Sequence, residues 1–241
     1  MSAPARPFVA RLEEARDLSP TVRHLVFERV DGAASEFAPG QFHNLFFDLP
    51  SGEIRRSYSI ASAPEGTPRF ELAVTRVPNG PASEALHAMV PGHEVRVVGP
   101  HGLFTRAGDE ARPALFVGTG AGIAPLRSMW RAAARARSMV KLGLLFGVRS
   151  EHDILYRDEL EGLREALPGF DAWVTLSRPS SAWSGRTGYV QAHLAEAYAA
   201  LGDPDAHVFI CGLDKMVSEV RDLCRNTLGI PRKQVHQERY D

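Results

Sequence analysis

This sequence predicts a two-domain fold, an antiparallel β-barrel or sandwich followed by a parallel α/β domain. Three observations predict it. From Phe8 to about Val98, short stretches of alternating apolar and polar residues are punctuated by turn residues, the pattern of closely spaced antiparallel strands. Beyond the polar connector Gly108-Asp109-Glu110-Ala111-Arg112-Pro113 the rhythm changes to apolar runs separated by longer helical patterns, as in a parallel sheet covered on both faces by helices. Between the first of those runs and the first of those helices lies a glycine-rich turn, Gly118-Thr119-Gly120-Ala121-Gly122-Ile123-Ala124-Pro125. The boundary is expected near residue 110, giving units over 1–110 and 111–241.

In the first unit, Val22 to Phe27 and Phe70 to Val74 alternate as strands, and Phe37-Ala38-Pro39-Gly40-Gln41-Phe42 reads as a turn feeding a strand from His43 to Phe47. Pro64-Glu65-Gly66-Thr67-Pro68 is another turn, and Asn79-Gly80-Pro81 opens a helical pattern from Ala82 to Met89. In the second unit the expected strands run from Ala114 to Val117, Leu142 to Phe146, Ala172 to Leu176 and Val208 to Cys211. The helix after the glycine turn carries Ile123, Leu126, Trp130, Ala133 and Ala134 at core spacing. Arg127, Arg131 and Arg135 form a stripe four residues apart on it. A solvated face is the preferred reading of that stripe, with a cofactor phosphate or an acidic partner as the alternative. Arginine is abundant throughout, since Lys141, Lys215 and Lys233 are the only lysines among 28 basic residues.

Composition narrows the function. A hydrophobic content of 44% over 241 residues is enough for packed cores, and a formal net charge of -1 gives no pull toward nucleic acid or anionic lipid. No apolar run is long enough to cross a bilayer, and Met1 to Pro7 lacks the apolar segment of a signal peptide. A cytoplasmic protein without membrane contact is expected. Cys211 and Cys224 have neither redox-pair nor zinc spacing, and two thiolates cannot supply the four ligands of an iron–sulfur cluster. A redox centre would therefore be an organic cofactor. The nine histidines show no metal-ligand spacing; His43, His87, His93 and His101 read as structural or exposed, and no metal site is expected. Nucleophile-elbow and Walker patterns are also missing from the sequence.

Two stretches carry chemistry. A strand that stops at a glycine turn and restarts as a helix brings backbone N–H groups and the helix's positive end to one point, where a phosphate can sit. The turn is not the Gly-x-Gly-x-x-Gly fingerprint, because Ile123 occupies its last position. In Arg56-Ser57-Tyr58-Ser59, strand alternation sends Arg56 and Tyr58 to one side and Ser57 and Ser59 to the other. Arginine suits bidentate phosphate binding, an aromatic face suits a planar ring, and serine is a small donor.

These segments occur in one order with Pro39-Gly40-Gln41, Gly80-Pro81-Ala82-Ser83-Glu84-Ala85-Leu86, Gly99-Pro100-His101-Gly102-Leu103-Phe104 and Cys211-Gly212. In that order the chain resembles the ferredoxin–NADP reductase family over nearly its whole length. The resemblance implies an FAD-binding Greek-key barrel followed by an NADP-binding α/β domain. It implies that Arg56 binds the FAD pyrophosphate, Tyr58 packs on the isoalloxazine and Ser59 lies near flavin N5. Gly80, Ala82 and Ser83 would belong to a short helix whose first amides meet the flavin pyrophosphate, Ser83 at the helix start and fit to be its N-cap. Thr119, Gly120, Ala121 and Gly122 would hold the nucleotide. Ser177 and Arg178, with Arg186 downstream, would bind the 2′-phosphate of NADP; an acidic residue at 178 would instead have suited NAD. Cys211 would approach the nicotinamide, Glu238 would pass protons, and Tyr240 would cover the flavin or, with Asp241 behind it, point away.

The activity implied is hydride exchange between NADP(H) and FAD, coupled to one-electron exchange with a carrier protein such as ferredoxin or flavodoxin. The alternatives are the reductase component of an oxygenase or other multi-protein system, and a flavin-binding subunit without turnover. Retention of Ser59, Cys211 and Glu238 together argues against the last.

Overall fold

The computed structural model describes residues 7–49 and 52–240; the expectations that rested on residues 1–6 and on Asp241 lie outside them. Strands β1 (Pro7–Ser19) and β2 (Val22–Arg29) form a hairpin, as do β3 (Phe42–Leu49) and β4 (Gly52–Ser59). With β5 (Arg69–Thr75) and β6 (Glu94–His101) they make a six-stranded antiparallel sheet ordered β4-β3-β6-β1-β2-β5. The sheet closes on itself just past β4, where Ile60 bridges Leu72 of β5 and Ala61 N–H donates to the Glu71 carbonyl at 2.7 Å. The ring order is thus β1-β2-β5-β4-β3-β6, a Greek-key barrel closed between its end strands by this one bridge. Inside it Phe27 and Phe70 stack with centroids 5.5 Å apart among the buried Leu12, Leu25, Leu45 and Leu72. Each such side chain contributes about 1.5–3 kcal/mol by leaving water.

Helix α1 (Pro81–Ala88) seats Leu86 and Ala82 against this core. Its N-cap is Gly80 and its first residue Pro81, so Ser83 is the third helical residue and not the cap. A proline has no N–H to satisfy and takes the first helical position. The Ser83 hydroxyl accepts the Val77 N–H at 3.0 Å and donates to the Gly80 carbonyl at 2.9 Å, tying the helix to the loop before it.

The second half contains β7 (Ala114–Thr119), α2 (Ile123–Arg135), β8 (Leu142–Val148), α3 (Arg157–Ala166) and β9 (Phe170–Leu176). Then come β10 (Arg186–Thr187), α4 (Leu194–Ala199), β11 (His207–Leu213), α5 (Asp214–Asn226) and β12 (Val235–Tyr240). The sheet is parallel throughout in the order β10-β9-β8-β7-β11-β12. Leu126 and Trp130 of α2 and Leu160 of α3 cover one face; Leu194 of α4 and Val217 and Val220 of α5 cover the other. All four strands expected here are present. Edge strands β10 and β12 were not expected, because their residues are largely polar and only partly buried.

The arginine stripe on α2 is a solvated face only at its far end, where Arg135 is exposed. Arg127 is only 4% exposed and donates to Glu159 Oε2 at 2.8 Å, to Glu71 Oε2 at 2.5 Å and to the Ala61 carbonyl at 2.9 Å. Arg131 pairs with Glu71 and Glu65, and Arg135 with Glu65. The acidic partners lie mostly in the barrel half, so the stripe is the seam between the lobes. Ser128 Oγ adds a bond to the Ser62 carbonyl at 2.6 Å. Burial would raise the Glu71 carboxyl, but Arg127 and Arg131 outweigh it and hold it below its ordinary value.

Candidate active site

Strand β7 is the first of its sheet in sequence, and the chain moves outward from it through β8 and β9 on one side and through β11 on the other. In open parallel sheets the crevice at such a reversal, beyond the carboxyl ends of the strands, is where ligands bind. Here the glycine turn fills one wall of that crevice. Gly120 has φ +53° and nothing within 4 Å of a notional Cβ, so its backbone lies open. Gly122 is the reverse case: a Cβ there would fall 2.4 Å from the Cys211 carbonyl oxygen. The turn thus packs backbone to backbone on Cys211-Gly212, and α2 starts directly over β11. Among the described residues the hydroxyl of Thr119, also at this turn, is buried without a hydrogen-bond partner.

Pairing places Cys211 opposite Gly118 on one side and Glu238 on the other, with Tyr240 opposite Leu213. From the barrel, Ser59 Oγ donates to Glu238 Oε1 at 2.7 Å, closing the gap between the lobes. Burial pushes the Glu238 carboxyl above the ordinary carboxylate range, the Ser59 hydroxyl pulling weakly the other way. Burial also raises the Cys211 thiol well above its usual value, with Glu238 adding to it, so this cysteine stays a neutral thiol. Tyr240 packs against the core cluster containing Cys211, and its hydroxyl is raised by burial and then by Cys211 and Glu238. Ser59, Cys211, Glu238 and Tyr240 therefore form one group.

The remaining sequence-predicted residues fall into two sets around that group. On β4, Arg56 lies opposite Leu45 and Tyr58 opposite His43, while Ser57 Oγ donates to Asn44 Oδ1 at 2.7 Å from the other face. Arg56 is exposed, donates to the Arg55 carbonyl at 2.8 Å and has no carboxylate partner among the described residues. Tyr58 is half-buried against the barrel core. Gly80, Ala82 and Ser83 start α1. At the carboxyl ends of the parallel strands, Ser177 and Arg178 follow β9, and Arg186 begins β10, paired with Glu196 at 2.7 Å.

Sequence reasoning missed Arg149. It follows β8, and its carbonyl accepts the Arg178 N–H at 2.7 Å. Both side chains are exposed and lack a carboxylate partner among the described residues. The only signal available was an arginine directly after an expected strand.

These features fit a dinucleotide and a flavin. An open glycine turn at a helix start, unpaired arginines at both ends of the cleft and an orphaned Thr119 hydroxyl each lack something that a phosphate or a polar ring would supply.

Comparison with known proteins agrees. Residues 9–105 match the family described as Oxidoreductase FAD-binding domain, and residues 116–222 match Oxidoreductase NAD-binding domain. The chain belongs to the ferredoxin–NADP reductase family of flavin- and nicotinamide-dependent oxidoreductases. It is 58% identical to ferredoxin–NADP reductase B of Sorangium cellulosum, over 98% of this chain and 99% of that one. It is 32% identical to a glycine betaine monooxygenase reductase subunit of Pseudomonas aeruginosa over 85% of this chain, and the match spans 56% of that protein. The fold is shared with the ferredoxin reductase in carbazole 1,9a-dioxygenase, at a TM-score of 0.85 and 23% identity over 100% of this chain and 71% of that one.

Proposed function

We propose that the protein is a ferredoxin–NADP reductase-type enzyme, exchanging a hydride between NADP(H) and bound FAD and single electrons between FAD and a carrier protein such as ferredoxin or flavodoxin. The observation that carries this reading is the Ser59–Glu238 hydrogen bond at 2.7 Å across the lobes, set beside the glycine turn. It supports a site in which barrel and nucleotide domain act on the same atoms. Identity of 58% over nearly the full length to a ferredoxin–NADP reductase supports the same electron route.

What FAD supplies when bound is the ability to take a hydride and to release electrons one at a time. The chain's own residues bind, orient and manage charge. Arg56 and the first amides of α1, those of Ala82 and Ser83 behind the Gly80 N-cap, hold a pyrophosphate, and Tyr58 offers its ring as a packing face. Thr119, Gly120, Ala121 and Gly122 receive the second pyrophosphate. Ser177, Arg178 and Arg186, with Arg149 added, select a 2′-phosphate and hence NADP over NAD. Ser59 and Glu238 hold a proton in a 2.7 Å hydrogen bond beside the transfer point, where Cys211 is a small neutral wall and Tyr240 a movable cover. The domain boundary is proposed between Gly108 and Pro113, in the connector after the barrel.

A second reading, the reductase component of an oxygenase, is favoured by the 32% identity to glycine betaine monooxygenase reductase subunits. With only two cysteines, both buried, residues 1–241 would then pass electrons to an iron–sulfur or haem centre outside them. The deciding experiment is anaerobic stopped-flow reduction of the purified yellow protein with NADPH and with NADH, followed by turnover with candidate carriers. A chain that takes up no FAD, or takes it up and is reduced by neither nucleotide, overturns the proposal.

A further inference from the structure

We infer that Asp109, His207 and His236 form a binding site for one divalent transition-metal ion of the zinc class, at the end of the sheet opposite the active site. One ligand atom from each of the three lies within 4.8 Å of the others. His207 Nδ1 and His236 Nε2 are 3.0 Å apart, and Asp109 Oδ2 is 3.7 Å from the same Nδ1. In a tetrahedral zinc site, with bonds of about 2.0–2.2 Å, neighbouring ligand atoms are about 3.3 Å apart. To hold an ion the two nitrogens part by a few tenths of an ångström, the Asp109 oxygen closes on His207 by a similar amount, and the Asp109–His236 pair, now within 4.8 Å, comes to the same spacing.

The residues are held as ligands need to be. His207 opens β11 and His236 is the second residue of β12, so two paired parallel strands fix their spacing. Phe209 lies flat on His236, with centroids 4.4 Å apart and 11° between the planes, and locks its orientation. The Asp109 carboxylate is divided: Arg112 Nε is 3.6 Å from Oδ1, leaving Oδ2 for the histidines. A carboxylate oriented through its second oxygen is a usual support around a metal. Asp109 and His236 are only partly buried, so an ion has a way in and water can complete its shell.

The ligand set selects the ion. Two imidazoles and one carboxylate suit zinc, cobalt or nickel, whereas calcium and magnesium demand oxygen ligands. Arg106, Arg112 and Lys233 stand nearby and act against any weakly held cation. The site is offset from the catalytic group towards the amino ends of the strands: His207 and Cys211 are four residues apart on β11, about 13 Å, and His236 and Glu238 two apart on β12, about 7 Å. An ion there would clip the connector between the lobes to the nucleotide-binding sheet. Sequence spacing could not reveal it, because the three residues meet only through the order of the strands.

The test uses tag-free, chelator-treated holoprotein titrated with zinc chloride by calorimetry, with retained zinc counted by mass spectrometry after gel filtration. Wild type is expected to retain one zinc per chain and to melt at a higher temperature with it. His236→Gln and Asp109→Asn are each expected to bind more than about tenfold more weakly, with flavin content and NADPH–ferricyanide turnover unchanged without metal. No retained zinc in wild type overturns the inference, as does undiminished binding in both variants, which would place the ion on surface histidines. If His236→Gln disturbs folding, Asp109→Asn decides alone, since it alters only the connector.

Discussion

Glu238 and Ser59 lie 179 positions apart and meet at 2.7 Å. Because burial raises the carboxyl, the folded chain binds that proton more tightly than the unfolded chain. The stability contributed by the neutral form is therefore full at low pH and is lost as pH rises through the folded value. Glu238→Gln is expected to flatten that part of the stability profile and to lower flavin reduction by NADPH on the order of a hundredfold. Urea unfolding and stopped-flow measurements across pH check both, and a variant with wild-type pH dependence would remove Glu238 from the proton path. At the other end of the cleft, Arg178→Glu is expected to cut the preference for NADPH over NADH by at least about tenfold, the worth of one charge-assisted hydrogen bond. Arg149→Glu should act in the same direction. Preference that survives both substitutions would move the 2′-phosphate elsewhere.

At the scale of elements, the glycine turn makes the sharpest prediction. A methyl group at Gly122 meets a backbone carbonyl at 2.4 Å, and no flexible side chain is there to yield. Gly122→Ala is expected to cost about 1–3 kcal/mol by overpacking and to weaken nucleotide binding, read by thermal melting and by titration with NADP. Much of this level was legible in the sequence: the turn's neighbours Ala114 to Val117 and Leu142 to Phe146 are wholly apolar, as a strand buried on both faces must be. Strand β12 was not legible. Val-His-Gln-Glu-Arg-Tyr carries its polar residues to an edge, and only its pairing with β11 makes it a strand. Ser83 misled for a related reason, since a serine near a helix start suits the cap, yet Pro81 had already fixed where the helix begins.

At the scale of the whole molecule, the seam between the lobes was hidden from sequence reasoning. A stripe of arginines on an amphipathic helix looks the same whether it faces water or another domain, and the difference lies in Glu71 and Glu65, far away in sequence. Removing Arg127 takes the nearest cation from both Glu71 and Glu159 and leaves Glu71 to Arg131 alone, so Arg127→Met is expected to cost about 3 kcal/mol, measured by denaturant unfolding. His24 sits at the same seam. Its Nδ1 is 3.0 Å from the Tyr156 hydroxyl, and its Nε2 is 3.7 Å from Glu71. Burial lowers it to about 4, with Glu71 opposing and Arg127 assisting. The folded chain thus resists protonating His24, and the stability this contributes is present above the ordinary 6.5 and lost as pH falls toward about 4. Replacing His24 by Gln should remove that component of acid sensitivity, seen as a smaller difference in unfolding free energy between pH 7 and pH 4.5.

Helix α2 begins at the glycine turn, and one turn further on it carries the guanidinium lodged beneath the barrel. It behaves as a lever whose fulcrum is set in the opposite half. Swinging the halves apart to admit a nucleotide would uproot Arg127 from two acceptors at once, the Glu71 carboxylate and the Ala61 carbonyl, while Glu159 travels with it. The bonds at the seam thus resist any parting of the two halves around the crevice.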